Sequence, residues 1–155
     1  MPNKRTKKSD RKLTAEEQAE VRDLITAAYR FLKLRPRAPA KKVQESIFAA
    51  IVAVYRGKTK LPKATVEDLG IKLGCLWGQT VCDSFGWEWC IVHPDKKDAW
   101  IAVVSPDRSY AVSGMFITQD LRKRYPQDID SLMLFNLIEG GKFRKGKPRS
   151  YLVIG

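Results

Sequence analysis

The sequence predicts an α+β fold in which N-terminal helices pack on a small antiparallel sheet with a C-terminal helix. Three observations carry this. Apolar residues recur at helical spacing in three stretches between Thr14 and Ser84. From Trp87 to Met115 the pattern changes to short strand-like runs, separated by HPDKKD and SPDR, which have turn composition. After Pro126 a helical pattern returns, capped by Asp130 or Ser131 and stopped after Glu139 by Gly140-Gly141.

Residues 1–12, MPNKRTKKSDRK, lack apolar periodicity and carry mutually repelling charges, so a disordered basic tail is expected there, with residues 13–155 forming one α+β domain. Thr14 and Glu17 make a T-x-x-E capping box, which starts a helix. Val21, Leu24, Ile25, Ala28, Phe31 and Leu32 form its inner stripe. Arg35-Pro36-Arg37-Ala38-Pro39 ends it, because proline lacks a donor and biases its predecessor away from the helical region. A second helix is expected from about Ala40 to Arg56, with Val43, Ile47, Ala50, Ile51 and Val54 inward.

The third helix, about Val66 to Ser84 with Thr65 as its cap, places Gly70, Gly74 and Gly78 four apart on one face. Each interior glycine costs about 1 kcal/mol relative to alanine, so the stripe implies close approach of another backbone. Gly86 suits a left-handed cap. Strands follow at Trp87–Val92, Ala99–Val104 and Ser109–Met115, joined as a meander. Alternation puts Trp87, Trp89 and Ile91 toward the helices, and Glu88, Cys90 and Val92 on the other face. A short helix is expected over Phe116 to Tyr125. Tyr151 to Ile154 suits an edge strand or a segment tucked under a helix.

The net charge is +12. It is unevenly placed: residues 1–63 carry 17 basic and 6 acidic side chains, residues 64–141 carry 7 and 11, and residues 142–155 carry 5 and none. Basicity lies at the two ends around a mildly acidic centre. No run approaches the roughly 20 apolar residues that span a bilayer, so no membrane partner is expected. The first residues lack the apolar core of a secretory signal, and three cysteines cannot all pair, so a cytoplasmic protein with reduced thiols is expected.

Enzymatic chemistry finds little support. The one histidine, His93, could join Cys75, Cys82 and Cys90 as zinc ligands, but C-x6-C-x7-C-x2-H draws on mid-helix and strand positions instead of tight turns. Cys90 and His93 lie three apart on a strand and point to opposite faces, which opposes a catalytic pair. The glycine stripe lacks the strand-before-helix context of a phosphate loop. No catalytic residue, metal or cofactor is therefore expected.

The motifs LGCLWG (Leu73–Gly78), GWEW (Gly86–Trp89) and SPDRSYAV (Ser105–Val112) resemble the bacterial family of domains of unknown function numbered 3806, over roughly residues 64–138. The resemblance implies helix packed on a small antiparallel sheet and assigns no catalytic residues.

Two functions remain. The first is a non-catalytic protein-interaction module, for which a bacterial immunity protein occluding a toxin is the concrete form. Its binding face would use Glu88, Asp95, Asp98, Trp100 and Asp107. The alternative is a nucleic-acid-associated protein that grips phosphates through Lys4, Arg5, Lys7, Lys8, Arg11, Lys12, Arg35, Arg37, Lys41 and Lys42. Charge favours the second, while the acidic centre and the missing recognition motif narrowly favour the first.

Overall fold

Every helix expected from the sequence is present, and the sheet is larger than expected. The computed structural model describes residues 8–57, 62–95, 97–122, 131–141 and 146–154. Helix α1 (Ala15–Leu32) opens on the predicted capping box: Glu17 N donates to Thr14 Oγ1 at 3.2 Å, and Thr14 N donates to Glu17 Oε1 at 2.9 Å. It closes on Lys33 in the left-handed region, φ 54°. Val21 and Ala28 are buried as expected, but Phe31 is 44% exposed. Phe31 lies about 60° round the helix from Ala28, at the flank of the buried stripe.

Helix α2 (Ala40–Tyr55) buries Val43, Ile47 and Ile51. Helix α3 (Lys63–Phe85) starts earlier than its predicted cap. Pro62 stands at the N-cap and its carbonyl accepts from Val66 N at 3.0 Å, so Thr65 lies inside the first turn and caps nothing. Proline fixes the φ of the entry at −58° and has no side-chain acceptor, so the helix starts without a side-chain cap. At the other end Gly86, φ 70°, ends the helix by donating to the Cys82 carbonyl.

The three α3 glycines each meet a different neighbour. A Cβ at Gly70 would overlap Thr118, one at Gly74 the Gly114 carbonyl oxygen, and one at Gly78 the Trp89 ring and Val103. Thr118 belongs to α4 (Phe116–Leu121), Trp89 to β2 (Glu88–His93) and Val103 to β3 (Trp100–Val104). Leu73, Leu76, Trp77 and Val81, all buried, fill the rest of the core around α3. Trp77 donates its indole N–H to the Ser131 carbonyl at 3.1 Å, tying α3 to the start of α5 (Ser131–Glu139).

The sheet order is β1-β2-β3-β4-β5. Strand β1 (Ser9–Lys12) pairs antiparallel with β2, opposing Asp10 to Val92 and Lys12 to Cys90. The expected disordered tail is therefore corrected for residues 9–12, whose backbone groups complete the β2 edge regardless of their polar side chains. Residues 1–7 lie outside the described residues. Strands β2, β3 and β4 (Tyr110–Ser113) form the predicted meander, whereas β5 (Leu152–Val153) joins β4 in parallel. The sheet is thus mixed, not purely antiparallel. Helix α4 stops at Leu121, and Tyr125, Pro126 and Asp130 lie outside the described residues.

Both faces of the sheet are covered. Trp89, Val103 and Val112 pack on the helices, as alternation predicts. The opposite face, where alternation puts Cys90 and Val92, is buried too: Cys90, Val92, Ala102, Val104 and Ala111 lie there under Tyr151, with Trp100 beside them. Tyr151 reaches across to donate its hydroxyl to Asp10 Oδ2 at 2.7 Å, and Arg108 Nε donates to the same oxygen at 3.1 Å. Among the described residues, no helix is long and apolar enough to cross a membrane.

Two stability predictions follow from this packing. Gly74→Ala should destabilise by about 1–3 kcal/mol in denaturant unfolding despite alanine's better helix propensity, because a methyl cannot share space with a backbone carbonyl. Burial, then the Asp10 contact, raises the Tyr151 hydroxyl to about 12. Its contribution to stability is complete below the unfolded pKa of about 10 and is lost as pH rises from there toward 12. Tyr151→Phe should make the alkaline fall in unfolding free energy shallower.

Candidate nucleic-acid interface

The five residues of the predicted acidic face do not form one patch. Glu88 begins β2 opposite Val104, and Asp107 sits in the adjoining β3–β4 turn. Asp95, Asp98 and Trp100 lie at the other end of the same strands, about 16 Å away along β2. Most of these carboxylates are also engaged locally. Arg108 Nη2 donates to Glu88 at 3.0 Å. Asp95 accepts from the backbone N–H of Asp98 at 2.8 Å and of Lys97 at 2.7 Å, and these bonds lower its pKa. Asp107 accepts from the Ser109 hydroxyl at 2.6 Å, with Ser109 N and the Ser105 hydroxyl adding to the same depression. These bonds fold the turns. Of the aromatic anchors, Trp87 is buried and Trp100 is half-buried on the outer face of the sheet.

The basic residues divide differently. Lys4, Arg5 and Lys7 lie outside the described residues. Lys8 donates to the Ser150 carbonyl at 3.2 Å. Arg11 Nη1 and Nη2 donate to the two Glu17 carboxylate oxygens at 2.7 and 3.2 Å, and this pairing holds Glu17 down at about 2. Lys12 is exposed at the end of β1.

Arg35, Arg37 and Lys42 come together with Lys33 around a groove of about 470 Å3 between α1 and α2. The turn that builds it is short. Lys33 and Leu34 N–H groups bond back to the Arg30 and Tyr29 carbonyls, Ala38 N bonds Arg35 O, and Pro39 then leads into α2. No acidic side chain lines the groove, and none of its four cations belongs to a salt bridge among the described residues. Helix α2 has no side-chain cap and no acid in its first turn, where Lys41 and Lys42 stand instead. Cations there add to the positive end of the helix dipole, so an anion is favoured at this helix end.

No family model, curated protein or solved structure matches the chain.

The thiols are placed for packing. Cys75 lies with Leu13, Val21 and Ile91 on the helix side, whereas Cys90 lies under Tyr151 on the opposite face. The sheet therefore divides the ligand set considered for zinc. Among the described residues, no three His, Cys, Asp or Glu side chains are placed to hold a metal ion. Burial raises Cys75 to about 11, Cys82 to about 12 and Cys90 to about 11, so all three are protonated at neutral pH. Lys33 was absent from the residues singled out in the sequence, although its place beside Arg35 and Arg37 at a helix end was legible.

Native protein at pH 8 should react with iodoacetamide roughly a hundredfold more slowly per thiol than free cysteine, with all three thiols released to full reactivity by denaturant. One rapidly labelled native cysteine would contradict this assignment.

Proposed function

We propose that the protein is a non-catalytic, cytoplasmic nucleic-acid-associated protein that grips phosphates in the groove between α1 and α2. The observation that carries this reading is the convergence of Lys33, Arg35, Arg37 and Lys42 on a groove with no acidic lining and no ion-pair partners for these cations. Unpaired cations at the open end of a helix retain their attraction for phosphate oxygens, whereas Arg11 and Arg108 have theirs occupied by carboxylates. Basic residues flanking the domain in sequence would add nonspecific affinity through counterion release.

A protein-interaction module, such as an immunity protein, is the second reading. It draws on the β2–β3 tip, where exposed Asp95 and Asp98 stand close in sequence to half-buried Trp100. It now loses Glu88 and Asp107, which lie at the far end of the strands. A stoichiometric protein partner recovered from the native cell and lost on Trp100→Ala would put this reading first.

Binding of duplex DNA and of single-stranded RNA should be measured across salt concentrations. The affinity is expected to fall steeply with salt, and the Arg35→Gln/Arg37→Gln/Lys42→Gln variant should reduce the log–log slope by about 2 to 3 while keeping the unfolding temperature. Binding with an unchanged slope in that variant would sink the groove as the interface.

A further inference from the structure

A second cavity, of about 400 Å3, lies between the first turns of α1 and the joint from α3 into β2. It is separate from the basic groove, since Arg22 at its rim and Lys33 are eleven residues apart on or at the end of α1, about 16 Å along the axis. Leu13, Val21, Cys82, Trp87 and Trp89 make the apolar part of its lining, and Lys12, Gln18, Arg22, Gln79 and Glu88 the polar part. Leu13 and Val21 are buried, Trp87 is 8% exposed, and Trp89 is seated on Gly78, where any Cβ would strike its ring. Gln79 fixes that indole by accepting its N–H at 3.1 Å, and itself donates to Asp83 at 2.8 Å. A concave recess that sets aromatic walls beside a small number of placed polar groups is the ordinary character of a small-molecule site.

Two cations and one carboxylate border the recess. Lys12 and Arg22 are exposed at its rim, and neither belongs to a salt bridge among the described residues. The carboxylate that lines it, Glu88, is already held by Arg108. Aromatic walls favour a flat ring through dispersion and edge or face contacts with the indoles. Two unpaired cations favour a negative group at the mouth. An aliphatic acid forfeits the first of these and a neutral aromatic the second.

We propose that this cleft binds a small aromatic carboxylate, its ring against the Trp87 and Trp89 wall and its carboxylate between Lys12 and Arg22. The test uses the full chain, isothermal titration calorimetry and two probes of matched shape, 2-naphthoate and the neutral 2-naphthalenemethanol. Naphthoate is expected to bind saturably with a Kd in the millimolar range or tighter, and the alcohol about tenfold more weakly. Lys12→Gln/Arg22→Gln should bring naphthoate down to the affinity of the alcohol, leaving the alcohol unchanged. Gln18→Trp, which fills the cleft from an exposed position on α1, should abolish binding of both. The double variant changes only exposed side chains, so it decides the charge assignment even if the tryptophan perturbs folding. The proposal is overturned by absence of saturable naphthoate binding, by equal affinity for the two probes, or by unchanged naphthoate affinity in the double variant.

Discussion

Helix α3 can occupy the centre of this protein only because its backbone comes within contact of the chain around it. Gly70, Gly74 and Gly78 make up one face, and on that face sit Thr118, the Gly114 carbonyl and the Trp89 ring. Three interior glycines weaken an isolated helix by about 3 kcal/mol in total. Burial of Leu73, Leu76, Trp77 and Val81 along α3 offsets this, at about 1.5–3 kcal/mol for a large aliphatic or aromatic side chain. The helix therefore owes its stability to tertiary packing, and the positions of α1, α2, α4 and the sheet are set by contact with it.

The outer face of the sheet depends on a second, polar constraint. Asp10 receives both the Tyr151 hydroxyl and Arg108 Nε, and Arg108 extends to Glu88. Asp10 and Arg108 keep only 17% and 20% of their side-chain surface in water, so their charges need each other. Arg108, Arg149 and Tyr151 all take left-handed backbone conformations, with φ of 61°, 58° and 46°. Non-glycine residues adopt that region at a cost, which is tolerated where the surroundings hold them. Here the Tyr151 ring seals the apolar centre of the face while residues separated by nearly the whole described chain are tied together.

Local hydrogen bonds and ion pairs decide which charges remain available. The acidic side chains of the β turns fold those turns, and Arg11 and Arg108 are consumed by ion pairs. Of the cations that belong to no salt bridge among the described residues, Lys33, Arg35, Arg37 and Lys42 gather at the α1–α2 groove, and Lys12 and Arg22 border the tryptophan-lined cleft. The stretch Leu73–Trp89 accordingly has two parts: its glycine face is architectural, while Gln79, Cys82, Trp87, Glu88 and Trp89 line an open recess. The high thiol pKa of Cys82 makes it a neutral wall of that recess, not a nucleophile.

Local physics made much of the fold legible in the sequence. The Thr14 capping box, the Gly86 stop, the helical stripes and the meander through β2, β3 and β4 all follow from interactions within a few residues, so reading along the chain finds them. The glycine spacing even announced a close approach, though not its partners. Strand β1, the parallel pairing of the β5 edge strand with β4, the cover that Tyr151 gives Cys90 and Val92, the separation of Glu88 from Asp95 and the pairing of Arg11 and Arg108 were decided only in three dimensions. Each joins a residue to a surface supplied from elsewhere: an open sheet edge pairs through backbone groups whatever its side chains, and a tyrosine distant in sequence can cover a strand face for which alternation names no cover. For the same reason, composition determined that this protein carries excess positive charge, while the tertiary structure determined which of those charges are still free to meet a partner.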